Sequence, residues 1–193
     1  FAFLFLLSVF SVMKVIGQTG DTPKVRIAPF KGDKLCAISY TFDDAVKDQS
    51  ELAVPMLEEF GFRGTFWAIP ATIPETEEEK LKNPGKKWGG ITWKRLKEMS
   101  DNGHEISNHG WSHKNLANLK SEQEIRAEIE KADSLIFLKI GKKPRTFCYP
   151  YNAYNDQVLA IAMENRVDTR TRCSGWGYRT TTQWMNNWAD GLI

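Results

Sequence analysis

The sequence predicts an α/β fold built on a parallel sheet, and three observations carry that expectation. Short apolar runs suited to strands alternate with stretches that repeat apolar residues at helical spacing, the pattern of strand–helix–strand units. Proline, glycine and helix-capping residues punctuate the boundaries between them. Four of the five expected strands run into a turn that carries a chemically capable side chain or an aromatic-rich loop, as in an α/β barrel with its chemistry at the carboxyl ends of the strands. An open doubly wound sheet is the competing architecture, but no Gly-x-Gly-x-x-Gly loop supports it.

Taken in order, residues 20–33 form a polar connector with Pro23 and Pro29, and residues 35–42 form an apolar strand that delivers Asp43. Leu52, Met56 and Phe60 follow at helical spacing, with Pro55 suited to a first turn and Gly61 to a stop. Residues 63–69 are a second strand. From 70 to 90 the composition turns to proline, glutamate, lysine and glycine, which predicts a long loop. A helix over 92–102 sets Trp93, Leu96 and Met99 on one side, and Gly103 closes it. Residues 104–108 make a short strand. The helix over 121–139 opens with the capping box Ser121-x-x-Glu124 and buries Ile125, Ile129, Ala132 and Ile136. A strand at 145–149, a helix at 154–165 and a strand at 167–173 complete the reading.

A chain of 193 residues fits one domain with a substantial core. Its 26 basic and 24 acidic side chains leave a net charge of only +2, and no basic run is interleaved with aromatics, which argues against nucleic acid as a partner. Seven tryptophans point another way, because indole faces stack on sugar rings, although core packing is each one's default role. Cys36, Cys148 and Cys173 fall in expected strands and lack the close spacing of a zinc or redox motif. They read as buried thiols, with a Cys148–Cys173 bridge open if those strands are neighbours.

The amino end is apolar up to Lys14, too short for a bilayer span of ~20 residues. It reads as the core of a signal peptide over residues 1–17, without its basic leader and initiator methionine, and with cleavage near Gly17-Gln18. An uncleaved anchor is the alternative. Either way the expectation is an exported domain that meets a membrane only through this segment, with a linker over 18–34 and the domain over 35–193.

All three histidines fall between His104 and His113, and the paired carboxylates Asp43-Asp44 end the first strand. His109 and His113 are four apart, close enough in one turn to aim two ring nitrogens at a single ion. Imidazole with carboxylate suits one borderline divalent ion, zinc foremost, with cobalt or nickel as alternatives. Two histidines and one aspartate leave coordination positions open for water and substrate, and the second aspartate is free to act as a base. His104 follows Gly103 at the entry to a strand and reads as structural.

Thr41-Phe42-Asp43-Asp44, His109-Gly110-Trp111-Ser112-His113 and Arg145-Thr146-Phe147-Cys148-Tyr149-Pro150-Tyr151 resemble, in order, the first three motifs of the polysaccharide deacetylases, carbohydrate esterase family 4. Gly64-Thr65-Phe66-Trp67 and the stretch 103–108 are similar to that family too, so the likeness runs from about residue 34 to residue 168. It implies an irregular (β/α) barrel of seven to eight strands, with Asp44, His109 and His113 as metal ligands and Asp43 as the base. It also implies that the backbone N–H of Tyr151 stabilises the oxyanion. The implied substrate is an acetylated polysaccharide, either a polymer of N-acetylglucosamine such as peptidoglycan or chitin, or O-acetylated xylan. Trp88 in the 70–90 loop and Trp176, with Tyr178, Trp184 and Trp188 beyond it, are candidate sugar platforms.

The chain departs from the family pattern in two ways. Cys148 stands where many members carry an arginine that orients the base, and Asn152 replaces a glycine; Arg172 or Arg145 is expected to substitute for the missing cation. The family's last motif also supplies a histidine as general acid, and no histidine follows His113. The expectation is a chain cut short before that motif, and the alternative is a member that has lost its acid. Two rival readings follow, a non-catalytic metal-holding carbohydrate-binding protein and a same-fold amidohydrolase acting on a small cyclic amide.

Overall fold

The computed structural model describes residues 30, 32–34, 36–82 and 89–171. The expected signal segment 1–17, most of the linker, and Trp88, Arg172, Cys173, Trp176, Tyr178, Trp184 and Trp188 lie outside these residues. All the elements below belong to the compact unit that starts at Ser39.

Five strands pair in parallel: β1 (Tyr40–Asp43), β2 (Gly64–Ala68), β3 (Glu105–Asn108), β4 (Thr146–Cys148) and β5 (Asp168–Arg170). Their spatial order is β1-β2-β3-β4-β5, the order in which they occur in the chain. A doubly wound sheet would reverse its strand order at a switch point, and these five strands do not.

Side-chain contacts reveal the curvature. Four steps of ~4.8 Å would hold β1 and β5 about 19 Å apart in a flat sheet. Yet Arg170 of β5 hydrogen-bonds Asp43 of β1, and Cys148 Sγ of β4 lies 3.8 Å from Asp43 Oδ1. The sheet is therefore curled into the arc of a (β/α) barrel, with these side chains on its concave face.

That concave face is polar and hydrogen-bonded, as a buried polar surface must be. Trp67 Nε1 donates to Thr146 Oγ1 at 2.9 Å, and Glu105 accepts from Thr65 at 3.1 Å and Thr146 at 3.0 Å. The alternate strand residues Phe66, Ile106 and Phe147 face the helices instead. α1 (Val54–Glu59), α3 (Trp93–Asp101) and the carboxyl half of α4 (Glu122–Ile140) pack Val54, Leu57, Leu96, Met99, Ile136 and Ile140 against Phe66 and Ile106. The amino half of α4 and α5 (Asp156–Met163) pack Ile125, Ile129, Val158 and Ile161 against Phe147. At 19 residues α4 is long enough, ~28 Å, to serve both clusters. Its expected capping box is formed at both halves, and Gly141 ends it in the left-handed region at φ +80°.

Three expectations are corrected. Leu52, Met56 and Phe60 share a stripe, but they are 62%, 62% and 70% exposed, and α1 turns Val54 and Leu57 inward instead. The helical run carries apolar residues on two sides, and only packing on the sheet selects between them. Pro55 sits just after a widened turn over Gln49–Ala53, where Val54 N–H reaches back five residues to Gln49. That wide turn absorbs the bond a proline cannot donate. Secondly, the 70–90 loop contains a helix, α2 (Glu77–Lys82), which buries no residue and so leaves no periodic signal. Glutamates fill its first turn and lysines its last, matching the helix dipole, and Thr76 Oγ1 accepts the Glu79 N–H. Thirdly, Cys36 precedes β1 and is exposed, whereas Cys148 is a buried free thiol.

Candidate active site

The carboxyl ends of β1, β3 and β4 converge on the candidate residues. β1 ends on Asp43, and the chain then turns through Asp44 and Ala45 with φ +72° and +50°. Gly89 and Gly90 hold this turn by donating their N–H groups to the Asp44 and Ala45 carbonyls at 3.1 and 2.9 Å. Neither glycine has room for a Cβ, which would meet Thr72 O at 2.2 Å or Lys47 N at 2.6 Å. The glycine-rich end of the 70–90 stretch is thus a clamp on the paired aspartates, a role that composition alone does not announce.

β3 delivers His109, and a loop rather than a helical turn carries the chain on to His113. Gly110 has φ +78° and His113 φ +59°. Asn108, buried at the strand end, shapes this exit by accepting the Gly110 N–H at 2.7 Å. Its amide donates to Ile129 O at 2.9 Å and to Asp133, which Arg166 holds in turn. The expected one-turn spacing brings the two imidazoles together by this route, with ring centroids 4.9 Å apart.

Asp44 Oδ1 lies 3.4 Å from His109 Nε2 and 3.4 Å from His113 Nε2. Bonds of ~2.1 Å to a tetrahedral ion set ligand atoms about 3.4 Å apart, so this donor set fits one zinc-sized cation. His109 Nδ1–H donates to the Cys148 carbonyl at 2.7 Å, which leaves Nε2 as the nitrogen directed at Asp44. Burial works against a charge on His109, but Asp44 and Cys148 outweigh it and raise its pKa to about 10. The pocket favours a positive charge at this point. A second group, Asp43, His109 and Cys148, also gathers within 4.8 Å. Arg170 hydrogen-bonds both Asp43 and Cys148, so two of these three side chains already face a fixed cation.

Asp43 has a different environment from Asp44. Arg170 Nη2 donates to its Oδ1 and also lies 3.1 Å from Cys148 Sγ, while the guanidinium sits 4.4 Å over the Trp67 ring. Arg170 thus places a guanidinium beside Asp43, whereas Arg145 is exposed at the other end of β4 and Arg172 lies outside the described residues.

After β4, Tyr151 and Asn152 adopt φ +58° and +56°. Asparagine tolerates the left-handed region, which accounts for a residue other than glycine there. The bonds closing this turn run from Asn152 N–H to Tyr149 O and from Ala153 N–H to Pro150 O, and Tyr151 N–H takes part in neither. The Tyr151 ring, 60% exposed, lies 4.6 Å from the His113 ring. Of the six non-glycine residues with positive φ among the described residues, Asp44, Ala45, His113, Tyr151 and Asn152 fall in these turns. Such conformations cost ~1–3 kcal/mol each and cluster where function demands them.

His104 stays out of the site, as expected. It is buried between β2 and β3, where Nδ1 accepts the Gly64 N–H at 3.0 Å and Nε2 lies 3.3 Å from Glu58.

Comparison with known proteins identifies the family of the chain. The chain is 28% identical over 143 residues to the peptidoglycan-N-acetylglucosamine deacetylase PgdA of Listeria monocytogenes, covering 74% of this chain and 27% of that one. It is 30% identical over 145 residues to chitin deacetylase 1 of Cryptococcus neoformans, covering 75% and 27%. The chain thus spans about a quarter of the length of these relatives. Among solved structures it resembles the Streptococcus pyogenes deacetylase PplD in complex with acetate, with TM-score 0.55 and 25% identity over 68% of this chain and 54% of that one. The sequence profile described as polysaccharide deacetylase matches residues 32–169, from ahead of β1 into β5, and the chain therefore belongs to the polysaccharide deacetylase family.

Proposed function

We propose that this domain is a metal-dependent deacetylase that hydrolyses N-acetyl or O-acetyl groups on an extracytoplasmic polysaccharide. The observation that carries the reading is the unequal pair of aspartates. Asp44 faces His109 and His113, whereas the neighbouring Asp43 faces Arg170. In this reading one carboxylate holds an ion and the other moves a proton.

Asp44, His109 and His113 would hold one divalent ion, zinc foremost, with cobalt or nickel as alternatives. When bound, such an ion polarises the acetyl carbonyl and acidifies a water. Asp43 takes the proton of the attacking water, and Arg170 fixes the carboxylate for that transfer. The Tyr151 N–H donates to the developing oxyanion, a kind of contact whose loss costs ~3 kcal/mol. The Tyr151 ring beside His113 offers a face for a sugar at the site. Trp88 and Trp176 remain proposed platforms outside the described residues.

The relatives named above support an acetylated glucosamine polymer as substrate class, and the apolar segment 1–17 supports export of the domain. The alternative reading is a metal-holding carbohydrate-binding protein without turnover, since the trio of Asp44, His109 and His113 could hold an ion in either case. Acetate release from peptidoglycan, chitin oligomers and acetylated xylan, with and without a chelator, separates the two. Release that stops on chelation supports the deacetylase, and metal-dependent binding without release supports the other.

A further inference from the structure

We infer that Glu128 is the positioning residue that holds His113 at the metal site, an inference that rests on the metal reading above. Glu128 lies on the inward stripe of α4 beside Ile125 and Ile129, and it is only 5% exposed. A carboxylate buried on an apolar helix face is costly unless it is fully engaged. Its partners show what engages it. Oε2 accepts the Ser112 N–H at 2.9 Å, Oε1 accepts the Ser112 hydroxyl at 2.8 Å, and Lys114 Nζ lies 3.0 Å from Oε1. The Glu128 main-chain carbonyl accepts the Trp111 N–H at 2.8 Å.

Ser112 and Lys114 are the immediate neighbours of His113. One buried side chain therefore grips the backbone on one side of that residue and the side chain on the other. Between the two grips His113 holds φ +59°, a conformation that L residues seldom adopt unless their surroundings impose it. Relaxing His113 to an ordinary backbone conformation would swing its imidazole away from Asp44, now 3.4 Å from Nε2. Glu128 bonds the two neighbours of His113, so its effect on the metal passes through the loop.

The test is the affinity of the full chain for zinc, measured by competition with a chromogenic chelator at a temperature where each variant keeps the wild-type circular dichroism spectrum. Glu128→Ala should weaken zinc binding ~10–100-fold, the usual scale for residues that support a metal ligand. Glu128→Gln, which keeps an acceptor for the Ser112 N–H, should recover part of that loss, and Ser112→Ala should show a smaller one. Ile140→Ala, a core deletion at the far end of α4, should lower Tm and leave zinc affinity unchanged. Wild-type affinity in Glu128→Ala, or an equal loss in Ile140→Ala, overturns the inference. If Glu128→Ala fails to fold, Glu128→Gln and Ser112→Ala carry the same comparison. A wild-type chain that takes up no zinc overturns the metal reading itself, and the positioning role falls with it.

Discussion

Arg170 and Asp43 stand on the two edge strands of the five-stranded sheet, and their side chains form an ion pair. Only a curled sheet permits that contact, so the pair is at once a mark of the barrel and the means by which the proposed base is aimed. Cys148 completes the cluster, with its thiol beside both the guanidinium and the carboxylate.

Removing this cation should impair turnover without emptying the site. Arg170→Ala is expected to lower kcat by up to ~100-fold, the scale of an ångström-level misplacement of a catalytic group. Metal content should stay at the wild-type level, because Arg170 bonds Asp43 and Cys148, which are outside the proposed ligand trio. Steady-state kinetics beside metal analysis checks both halves. Wild-type kcat in the variant, or loss of metal with it, contradicts the assignment.

The face that α1 turns to the core can be tested by two substitutions of the same kind. Leu57→Ala removes a side chain that is 7% exposed and should cost ~2–4 kcal/mol. Leu52→Ala, at 62% exposure, should stay within ~0.5 kcal/mol of the wild type. Denaturant unfolding of both variants decides it, and comparable losses would restore Leu52 to the core.

Acid should weaken the fold through His104. Burial lowers its pKa, against partial compensation from Glu58. As pH falls below ~6.5 the unfolded chain takes up this proton first, so the contribution of neutral His104 is intact above that value and is lost as pH falls through the folded one. His104→Gln keeps polar atoms for Gly64 and Glu58 but does not titrate. The stability advantage of wild type over this variant should shrink between pH 7 and pH 5, and a constant difference would contradict the account.

What could be read from the sequence was what short stretches decide for themselves. Ser121 with Glu124 as a capping box and Gly103 as a stop mark helices through bonds within a turn, and α3 and α4 lie within a residue of where those signals put them. The grouping of Asp44, His109 and His113 was legible because strand ends point to one rim of an α/β barrel. What escaped depends on contacts between distant segments. Arg170 meets Asp43 only through sheet curvature, and the clamp of Gly89 and Gly90 on the Asp44 turn crosses more than 40 positions. α2 escaped because it buries nothing. Glu128 did leave a signal, an acid within a helix's apolar stripe, and such a residue is worth questioning wherever it occurs.

The most direct test compares two neighbouring carboxylates. Wild type, Asp43→Asn and Asp44→Asn should be assayed together for bound metal and for acetate released from a glucosamine polymer. Asp43→Asn should keep about one metal per chain and lose turnover by ~100-fold or more, the scale of a general base, whereas Asp44→Asn should lose both. Undiminished acetate release by Asp43→Asn, or full metal content in Asp44→Asn, would contradict the division of labour between the two aspartates.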